Sequence, residues 1–212
     1  SFMICGHTNK EKDTVLFIDP GFPVHKFQTK ILGLKMESFD IYEYRGEKLR
    51  EKLESIFSTG KIHSVLYSNP NNPTWVCLTD EELKIIGELA NKYDVIILED
   101  LAYFGMDFRK DYSHPGVAPF QPTVGKYTDN YILMLSTSKA FSYAGERCAV
   151  LGISNKLAER RYPDLKEFCG QEIFARGIIF GALHPLSSGT SHSAQYAVAG
   201  VMKAVNDGTY NY

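Results

Sequence analysis

The sequence predicts an α/β protein with three layers, in which helices cover both faces of a mainly parallel sheet. Two observations carry this prediction. Short apolar runs rich in β-branched residues alternate with helical patterns along the chain, and this alternation is typical of strand–helix–strand units. The run from Val95 to Leu98 is also uniformly apolar, as a strand buried on both faces of a parallel sheet should be.

The first third of the chain contains two predicted strands and two predicted helices. Val15 to Ile18 forms a strand that stops at Asp19-Pro20-Gly21, and Ile62 to Tyr67 forms another. The loop Ser68 to Thr74 follows, and its two prolines exclude regular strand pairing. Apolar residues at helical spacing predict two helices that cover the sheet, through Val24, Phe27, Ile31 and Leu34 and through Leu49, Leu53, Ile56 and Phe57.

The next elements continue the pattern. Thr79 and Glu82 form a capping box that begins a helix. The strand after it carries Glu99 and Asp100 to its carboxyl end, where open α/β sheets bind their ligands. Residues 109 to 130 are predicted to form a long excursion. Apolar positions mark the helix after the capping box and a last helix that is closed by Gly208: Leu83, Ile86, Ala90 and Tyr93, then Ala194, Ala197, Val201 and Val205.

Composition limits the class of protein. The chain has 212 residues, of which 44% are hydrophobic and 23% are charged, and this suits one globular domain that spans residues 1 to 212. The formal net charge is -2, from 23 basic and 25 acidic residues, and no block of Lys or Arg stands out. A nucleic-acid partner is therefore not expected. No apolar run reaches the roughly eighteen residues that a membrane span needs, so no membrane partner is expected either.

The cysteines and histidines point to neither disulfides nor metal. The four cysteines are widely spaced and form no C-x-x-C pair. A disulfide framework is usual in shorter, cysteine-rich secreted chains, so we expect reduced thiols and a cytoplasmic location. The six histidines show no ligand spacing such as H-x-x-x-H, and the sequence predicts no metal site.

The most informative stretch runs from Ser136 to Arg147 and reads S-T-S-K-A-F-S-Y-A-G-E-R. It follows the predicted strand Tyr131 to Leu135, so Lys139 lies in a small, hydroxyl-rich turn suited to binding an anion. The run resembles the lysine motif of the class I/II aminotransferases, the fold-type I enzymes that use pyridoxal phosphate (PLP). Three more segments match that family in its own order, and the conjunction is more specific than any one motif. They are Asp19 to Pro23, Asn69 to Thr74, and Asp100 to Tyr103.

The resemblance implies the large domain of a PLP-dependent fold-type I transferase, with PLP as its cofactor. It assigns Lys139 as the catalytic residue, which binds PLP as a Schiff base and later shuttles a proton. It places Asp100 against the pyridine nitrogen, where a buried carboxylate favours the protonated ring by charge pairing. Glu99 points to the other face of the extended chain and is assigned no cofactor contact.

The other cofactor contacts are carried over from the same resemblance. Asn72 and Tyr103 would donate hydrogen bonds to the ring hydroxyl, and Phe22 would stack on the ring. Structural alternatives stay open, because Asn72 also suits a turn, Tyr103 also suits core packing, and Phe22 also suits an apolar plug. Hydroxyls and a planar guanidinium bind phosphate well. The resemblance supplies them from Ser136, Ser138 and Arg147.

Two positions depart from the family pattern. The asparagine loop usually continues N-P-T-G, whereas Trp75 follows Thr74 here, and Ala149 stands where the family often has glycine. These bulkier residues bear on the substrate more than on the cofactor. The family also has a phosphate loop upstream of the aromatic residue and a C-terminal small domain. Neither is recognisable, so we expect a large-domain portion of a longer enzyme.

The expected function is amino-group transfer between an amino acid and a 2-oxo acid, carried out by a homodimer as in the family. A β-lyase, decarboxylase or synthase of the same fold would keep the same cofactor residues, because PLP supplies the electron sink and the protein selects the bond that breaks. A PLP-sensing regulatory domain is the alternative outside the enzymes. The loop Ser187 to Ser191 either contacts a phosphate or leads flexibly into the last helix.

Overall fold

The structure of the chain is a computed structural model, and it describes residues 1–112, 114 and 116–210. Within these residues, six strands form one sheet. They are β1 (Thr14–Asp19), β2 (Lys35–Asp40), β3 (Ile62–Ser68), β4 (Ile96–Leu101), β5 (Tyr131–Ser136) and β6 (Ala149–Ile153). The order is β2-β1-β3-β4-β5-β6, and all neighbours are parallel except β5 and β6. The predicted α/β class with a mainly parallel sheet is confirmed.

Helices precede, connect and follow the strands. The α-helices are α1 (Phe2–Cys5), α2 (Val24–Ile31), α3 (Lys48–Phe57), α4 (Asp80–Tyr93), α5 (Thr137–Ala140), α6 (Asn155–Glu159), α7 (Pro163–Cys169), α8 (Phe174–Arg176), α9 (His184–Ser187) and α10 (His192–Asn206). A π-helix, Gly177–Leu183, joins α8 to α9. Short 3₁₀ turns lie at Ile41–Glu43, Val124–Lys126 and Ala144–Glu146. No helix among the described residues is long and apolar enough to span a bilayer.

Helices cover both faces of the sheet, which gives the three predicted layers. On one face, α3 and α4 bury their apolar stripes against strand residues such as Leu16 and Ile97. On the other face, Val15 and Leu98 belong to a second core that includes α1, α7 and the π-helix. Successive strand residues point to opposite faces, so Val15 and Leu16 enter different cores. Burying one such side chain stabilises the fold by about 1.5 to 3 kcal/mol.

The capping box predicted at the start of α4 is confirmed. The Thr79 hydroxyl accepts the Glu82 N–H at 3.1 Å, and the Glu82 carboxylate accepts the Thr79 N–H at 2.9 Å. The same carboxylate binds the Arg45 guanidinium at 2.6 and 2.8 Å. This cap holds the loop before α4 against the helix, and that loop is the asparagine loop of the candidate site.

Helix α2 forms where predicted, but its apolar stripe does not cover the sheet. Phe27 is 63% exposed and Ile31 is 84% exposed. The buried face instead contains Thr29, which is fully buried and donates a hydrogen bond to the His25 carbonyl at 2.9 Å. An ion pair between Lys26 and the end of β1 fixes this rotation of the helix. The rotation turns His25 towards the carboxyl end of the sheet.

Candidate functional site

The carboxyl ends of four parallel strands bring the four motif segments to one edge of the sheet. Asp19 ends β1, Ser68 ends β3 and Ser136 ends β5. Asp100 is the neighbour of Ser68 on one side and of Met134 on the other. Since parallel strands end on the same side of a sheet, segments far apart in the sequence become neighbours here.

Asp100 lies at the centre of this edge with a largely buried carboxyl group. Its side chain is 16% exposed, one oxygen accepts the Ala102 N–H at 2.9 Å, and the other lies 3.9 Å from Nε2 of His25. Burial raises the pKa of the Asp100 carboxyl, against the smaller lowering effects of the Ala102 N–H and His25. Burial likewise lowers the pKa of His25, and Asp100 opposes that shift. A cation brought against Asp100 would therefore stabilise its carboxylate.

His25 lies in the candidate site and was not predicted from the sequence. Its Nδ1 is buried without a hydrogen-bond partner among the described residues. Its ring lies edge-on to Phe22, with ring centres 5.5 Å apart, and edge-on to Phe2 at 6.2 Å. The available signal was its place in the first turn of α2, three residues after Phe22. His25 thus connects the exposed Phe22 ring to the Asp100 carboxyl.

The asparagine loop, residues 69–74, contains three asparagines with different environments. Asn71 donates to the Pro20 carbonyl at 2.7 Å and accepts from the Thr74 hydroxyl at 2.8 Å, which ties this loop to the end of β1. Asn69 accepts the Leu78 N–H at 3.1 Å. The Asn72 side chain is half-buried and makes no hydrogen bond to the described part of the chain. Asn72 is therefore the asparagine with capacity to bind a ligand.

Glu99 points away from Asp100, as strand alternation predicts. It is fully buried, and its two oxygens accept hydrogen bonds from Asn69 at 3.2 Å and from the Val124 N–H at 2.8 Å. Burial raises the pKa of Glu99 to about 7, although both donors oppose the shift. The Glu99 oxygens hold the asparagine loop and the Val124 turn in place, so this carboxyl supports the site from behind.

The lysine turn, residues 136–147, leaves the side chain of Lys139 exposed to solvent. Lys139 lies in α5, is exposed, and places its Nζ 5.9 Å from the centre of the Tyr103 ring. The Ser136 hydroxyl accepts the Ser138 N–H at 3.2 Å and so caps this short helix. The Thr137 hydroxyl donates to the Cys148 carbonyl at 2.8 Å and anchors the turn to the start of β6. The amine is thereby directed over Tyr103.

The three residues expected to bind phosphate make hydrogen bonds within the lysine turn. Arg147 is exposed, has a left-handed backbone with φ of 53°, and donates to the Ala144 carbonyl of its own turn at 2.8 Å. Among the described residues, one hydrogen bond joins two of these three residues: the Ser138 N–H donates to the Ser136 hydroxyl. The structure thus brings Asp100, His25 and Phe22 together, while Arg147 bonds the backbone of its own turn.

An apolar cavity of about 500 Å³ lies beside the lysine turn, and its lining includes Ser136 but not Asp100. Its lining includes Leu135, Phe141, Val150, Val198 and Met202, from β5, the lysine turn, β6 and α10. An apolar cavity does not suit a phosphate dianion, so we place the candidate site at the strand edge. No cluster of His, Cys, Asp or Glu that could hold a metal occurs within the described ranges.

The chain is similar to known enzymes over most of its length. The family model described as "Aminotransferase class I and II" matches residues 2–207. The probable aspartate aminotransferase of Methanocaldococcus jannaschii is 28% identical over 145 residues, which cover 68% of this chain and 36% of that protein. The cystathionine beta-lyase of Corynebacterium glutamicum is 25% identical over 174 residues, which cover 82% of this chain and 44% of that protein. The chain therefore spans less than half the length of these relatives.

The fold is also that of a solved structure. An aminotransferase from Mycobacterium tuberculosis superposes with a TM-score of 0.56 at 22% sequence identity, covering 73% of this chain and 38% of that chain. At this level of identity the likeness concerns the fold alone. It confirms the fold class that was expected from the four motifs.

Proposed function

The chain belongs to the class I and II aminotransferase family, as its motifs predicted, and we propose that it uses PLP to transfer an amino group between an amino acid and a 2-oxo acid. The family and its structural neighbours are PLP-dependent enzymes. One observation carries the proposal. Neighbouring strands bring a buried carboxyl, Asp100, and an exposed amine, Lys139, to the same edge of the sheet.

The residues at this edge fit PLP. The raised pKa of Asp100 reflects a buried carboxyl that lacks a close cation, and the protonated pyridine nitrogen of PLP is such a cation. The amide of Asn72 is unbonded within the described chain, and the Phe22 ring is 43% exposed. These are the groups needed to bind the hydroxyl and one face of the ring. When bound, PLP supplies the electron sink for charge that develops on the substrate.

The proposal gives each residue a role towards the cofactor. The Lys139 amine would hold the cofactor aldehyde with loss of water and, once the substrate amino group displaces it, would move the proton at the substrate α-carbon. Asp100 would hold the proton on the ring nitrogen, and His25 positions Asp100 from 3.9 Å. Asn72 and Tyr103 would donate hydrogen bonds to the ring hydroxyl, and Phe22 would cover the ring.

The phosphate end of the proposed site depends on two half-buried serines and an exposed arginine. Ser136, Ser138 and Arg147 carry the hydroxyls and the guanidinium that suit a phosphate dianion. To bind a phosphate, the Arg147 guanidinium must give up its hydrogen bond to the Ala144 carbonyl. Because the guanidinium is exposed, this exchange costs little desolvation.

A β-lyase reaction is the second candidate, and the cystathionine beta-lyase relative favours it because its match covers 82% of this chain. The two reactions share the cofactor residues and differ in the bond that breaks. The substrates, the homodimer and the cytoplasmic location belong to the proposal as well, since the chain spans only 36% of the probable aspartate aminotransferase.

The two reactions have different products. The chain is incubated with PLP and a panel of amino acids, with and without a 2-oxo acid acceptor, and both 2-oxo acid and ammonia are measured. Transamination predicts that 2-oxo acid forms beyond one equivalent of PLP only when the acceptor is present, that no ammonia is released, and that Lys139→Ala abolishes the reaction. Release of pyruvate and ammonia without acceptor would support the lyase, and activity that survives Lys139→Ala would contradict both.

A further inference from the structure

Three aromatic rings form an exposed surface next to the lysine. We call Trp75, Tyr103 and Phe108 the aromatic wall. The Trp75 and Phe108 rings are nearly parallel, with centres 6.4 Å apart and planes 7° apart, and the Trp75 ring meets Tyr103 edge-on at 5.3 Å. Trp75 is 43% exposed and Phe108 is 80% exposed. The wall therefore presents aromatic faces to solvent rather than to the core.

Trp75 adopts a backbone conformation that disfavours a bulky residue. Its φ is 62°, in the left-handed region that favours glycine. The Trp75 N–H donates to the Asn71 carbonyl at 2.9 Å, so the same turn that supports the asparagine loop fixes this conformation. A large side chain held in a strained backbone and left exposed is a frequent mark of a binding function.

The Tyr103 ring of the aromatic wall is also the ring that lies next to the Lys139 amine. Lys139 Nζ lies 5.9 Å from the centre of the Tyr103 ring, and Trp75 meets that ring at 5.3 Å. A substrate bonded near Lys139 therefore has the wall within reach of its side chain. The asparagine loop that carries Trp75 also carries Asn72, so the cofactor and the wall are positioned by one segment.

The arginine next to the wall is engaged by a neighbouring carboxylate and by backbone carbonyls. Arg109, next to Phe108, is bound to the buried Asp107 carboxylate at 2.7 and 2.9 Å and also donates to the carbonyls of Cys77 and Leu78. Burial raises the pKa of Asp107, but the Arg109 side chain and N–H outweigh it and lower the pKa overall. The guanidinium is thus engaged, and the exposed surface of the wall is apolar.

We propose that the aromatic wall contacts the substrate side chain and selects an apolar, preferably aromatic, side chain over an acidic one. This inference rests on the proposed PLP-dependent function. It assigns Trp75 as a substrate-contacting residue and names apolar amino acids and their 2-oxo acids as the substrate class. Offset-stacked or edge-to-face ring contacts are the interactions by which the wall would bind such a side chain.

The test uses stable compounds that join cofactor and amino acid by a reduced bond, so that no reaction is needed. N-phosphopyridoxyl-L-phenylalanine, N-phosphopyridoxyl-L-aspartate and PLP itself are titrated into the chain by calorimetry. Trp75 is the one tryptophan of the sequence, and its fluorescence reports contact independently. We expect the phenylalanine compound to bind at least about threefold to tenfold more tightly than the aspartate compound, the factor that one ring contact provides.

Two variants make the test specific. Trp75→Gly suits the φ of 62° and keeps the fold, so loss of the phenylalanine preference with unchanged PLP affinity supports the inference. Trp75→Phe, which keeps an aromatic ring, should restore the preference. Equal affinity for the two compounds, or a preference that persists in Trp75→Gly, overturns the inference while the proposed function stands. Absence of binding by PLP and by both compounds overturns the proposed function and this inference together.

Discussion

The two ends of the candidate site differ in how firmly the chain holds them. Asp100 is 16% exposed, and both flanking strands are hydrogen-bonded to its own strand. Lys139 and Arg147 are exposed and lie on turns. The difference shows that the sheet itself fixes the Asp100 end, whereas the end with Lys139 and Arg147 is held by a short helix and turns.

The sheet topology explains this difference. β4 is an inner strand with neighbours on both sides, while β6 ends the order of strands. The lysine turn connects β5 to β6. Helix α10 contributes little buried surface, because Ala194 is its one buried residue. Local stability follows the number of buried contacts, so we expect the Asp100 end to stay ordered when the lysine turn moves.

The largest expected effect comes from breaking the support behind Asp100. Asn69→Ala removes a buried amide that bonds both Glu99 and the Leu78 N–H, and it leaves those groups unpaired. We expect a loss of about 3 kcal/mol in the free energy of unfolding, measured by urea denaturation. Asn91→Ala, at an exposed amide bonded to the Tyr127 carbonyl and the Thr128 hydroxyl, is the matched control, and equal losses for the two variants would contradict the comparison.

The second prediction concerns pH. Burial raises the pKa of Glu99 to about 7, so the folded chain holds a proton that the unfolded chain has released, and stability is lost as pH rises from the unfolded to the folded pKa. Relative to Glu99→Gln, the wild type should lose up to about 3 kcal/mol between about pH 4.5 and pH 7.

His63 changes the stability with pH in the opposite direction. Subtracting the stability of Glu99→Gln from that of the wild type removes this contribution. Burial lowers the pKa of His63 to about 4, so its contribution to stability falls as pH drops below the unfolded value. This effect is common to the wild type and Glu99→Gln. Unfolding measured on both proteins across the range therefore isolates Glu99, and parallel curves would show that its carboxyl is not held neutral by burial.

The third prediction concerns cofactor affinity. Asp100→Asn removes the charge that is proposed to pair with the pyridine nitrogen, and we expect PLP to bind about tenfold to hundredfold more weakly. The titration is followed by absorbance. The control is Asp129→Asn, which removes a carboxylate from an exposed ion pair with Lys156. Unchanged affinity in Asp100→Asn would remove this residue from the cofactor site.

The smallest effect is expected at the lysine turn. Ser136→Ala removes the hydroxyl that caps α5, and loss of an N-cap costs about 1 kcal/mol. Because α5 has only four residues and Thr137 is its one buried residue, we expect the measured loss to stay below that of Asn69→Ala. A loss as large as at Asn69 would show that both ends are equally integrated into the fold.

Much of the fold could be predicted from the sequence because apolar runs and caps are local signals. The strand β4 and the helices α3 and α4 follow from such runs. The four residues predicted on the apolar face of α3 are all buried, whereas on α4 the predicted Tyr93 is half-buried and Ile85 and Leu89 are buried as well. β2 was missed because it is an edge strand whose one buried residue is Phe39. β6 was missed as well, and its mainly exposed or half-buried residues give no strong period.

The site was predictable where a motif carried it and not where tertiary packing decided it. Lys139 and Asp100 were named from their segments, and the parallel strands bring those segments to one edge. His25 could not be inferred, because its place depends on the rotation of α2 that leaves Phe27 exposed. The role of Arg147 stays a prediction, since its guanidinium bonds its own turn.

The most direct test of the account is the mass of the chain after incubation with PLP and reduction by borohydride, followed by peptide mapping. We predict one phosphopyridoxyl group per chain, on Lys139, and none on the Lys139→Ala variant. The exposed position of Lys139 means that this substitution leaves the fold intact. No adduct, an adduct scattered over other lysines, or one that persists in Lys139→Ala would contradict the assignment of this turn as the cofactor attachment site.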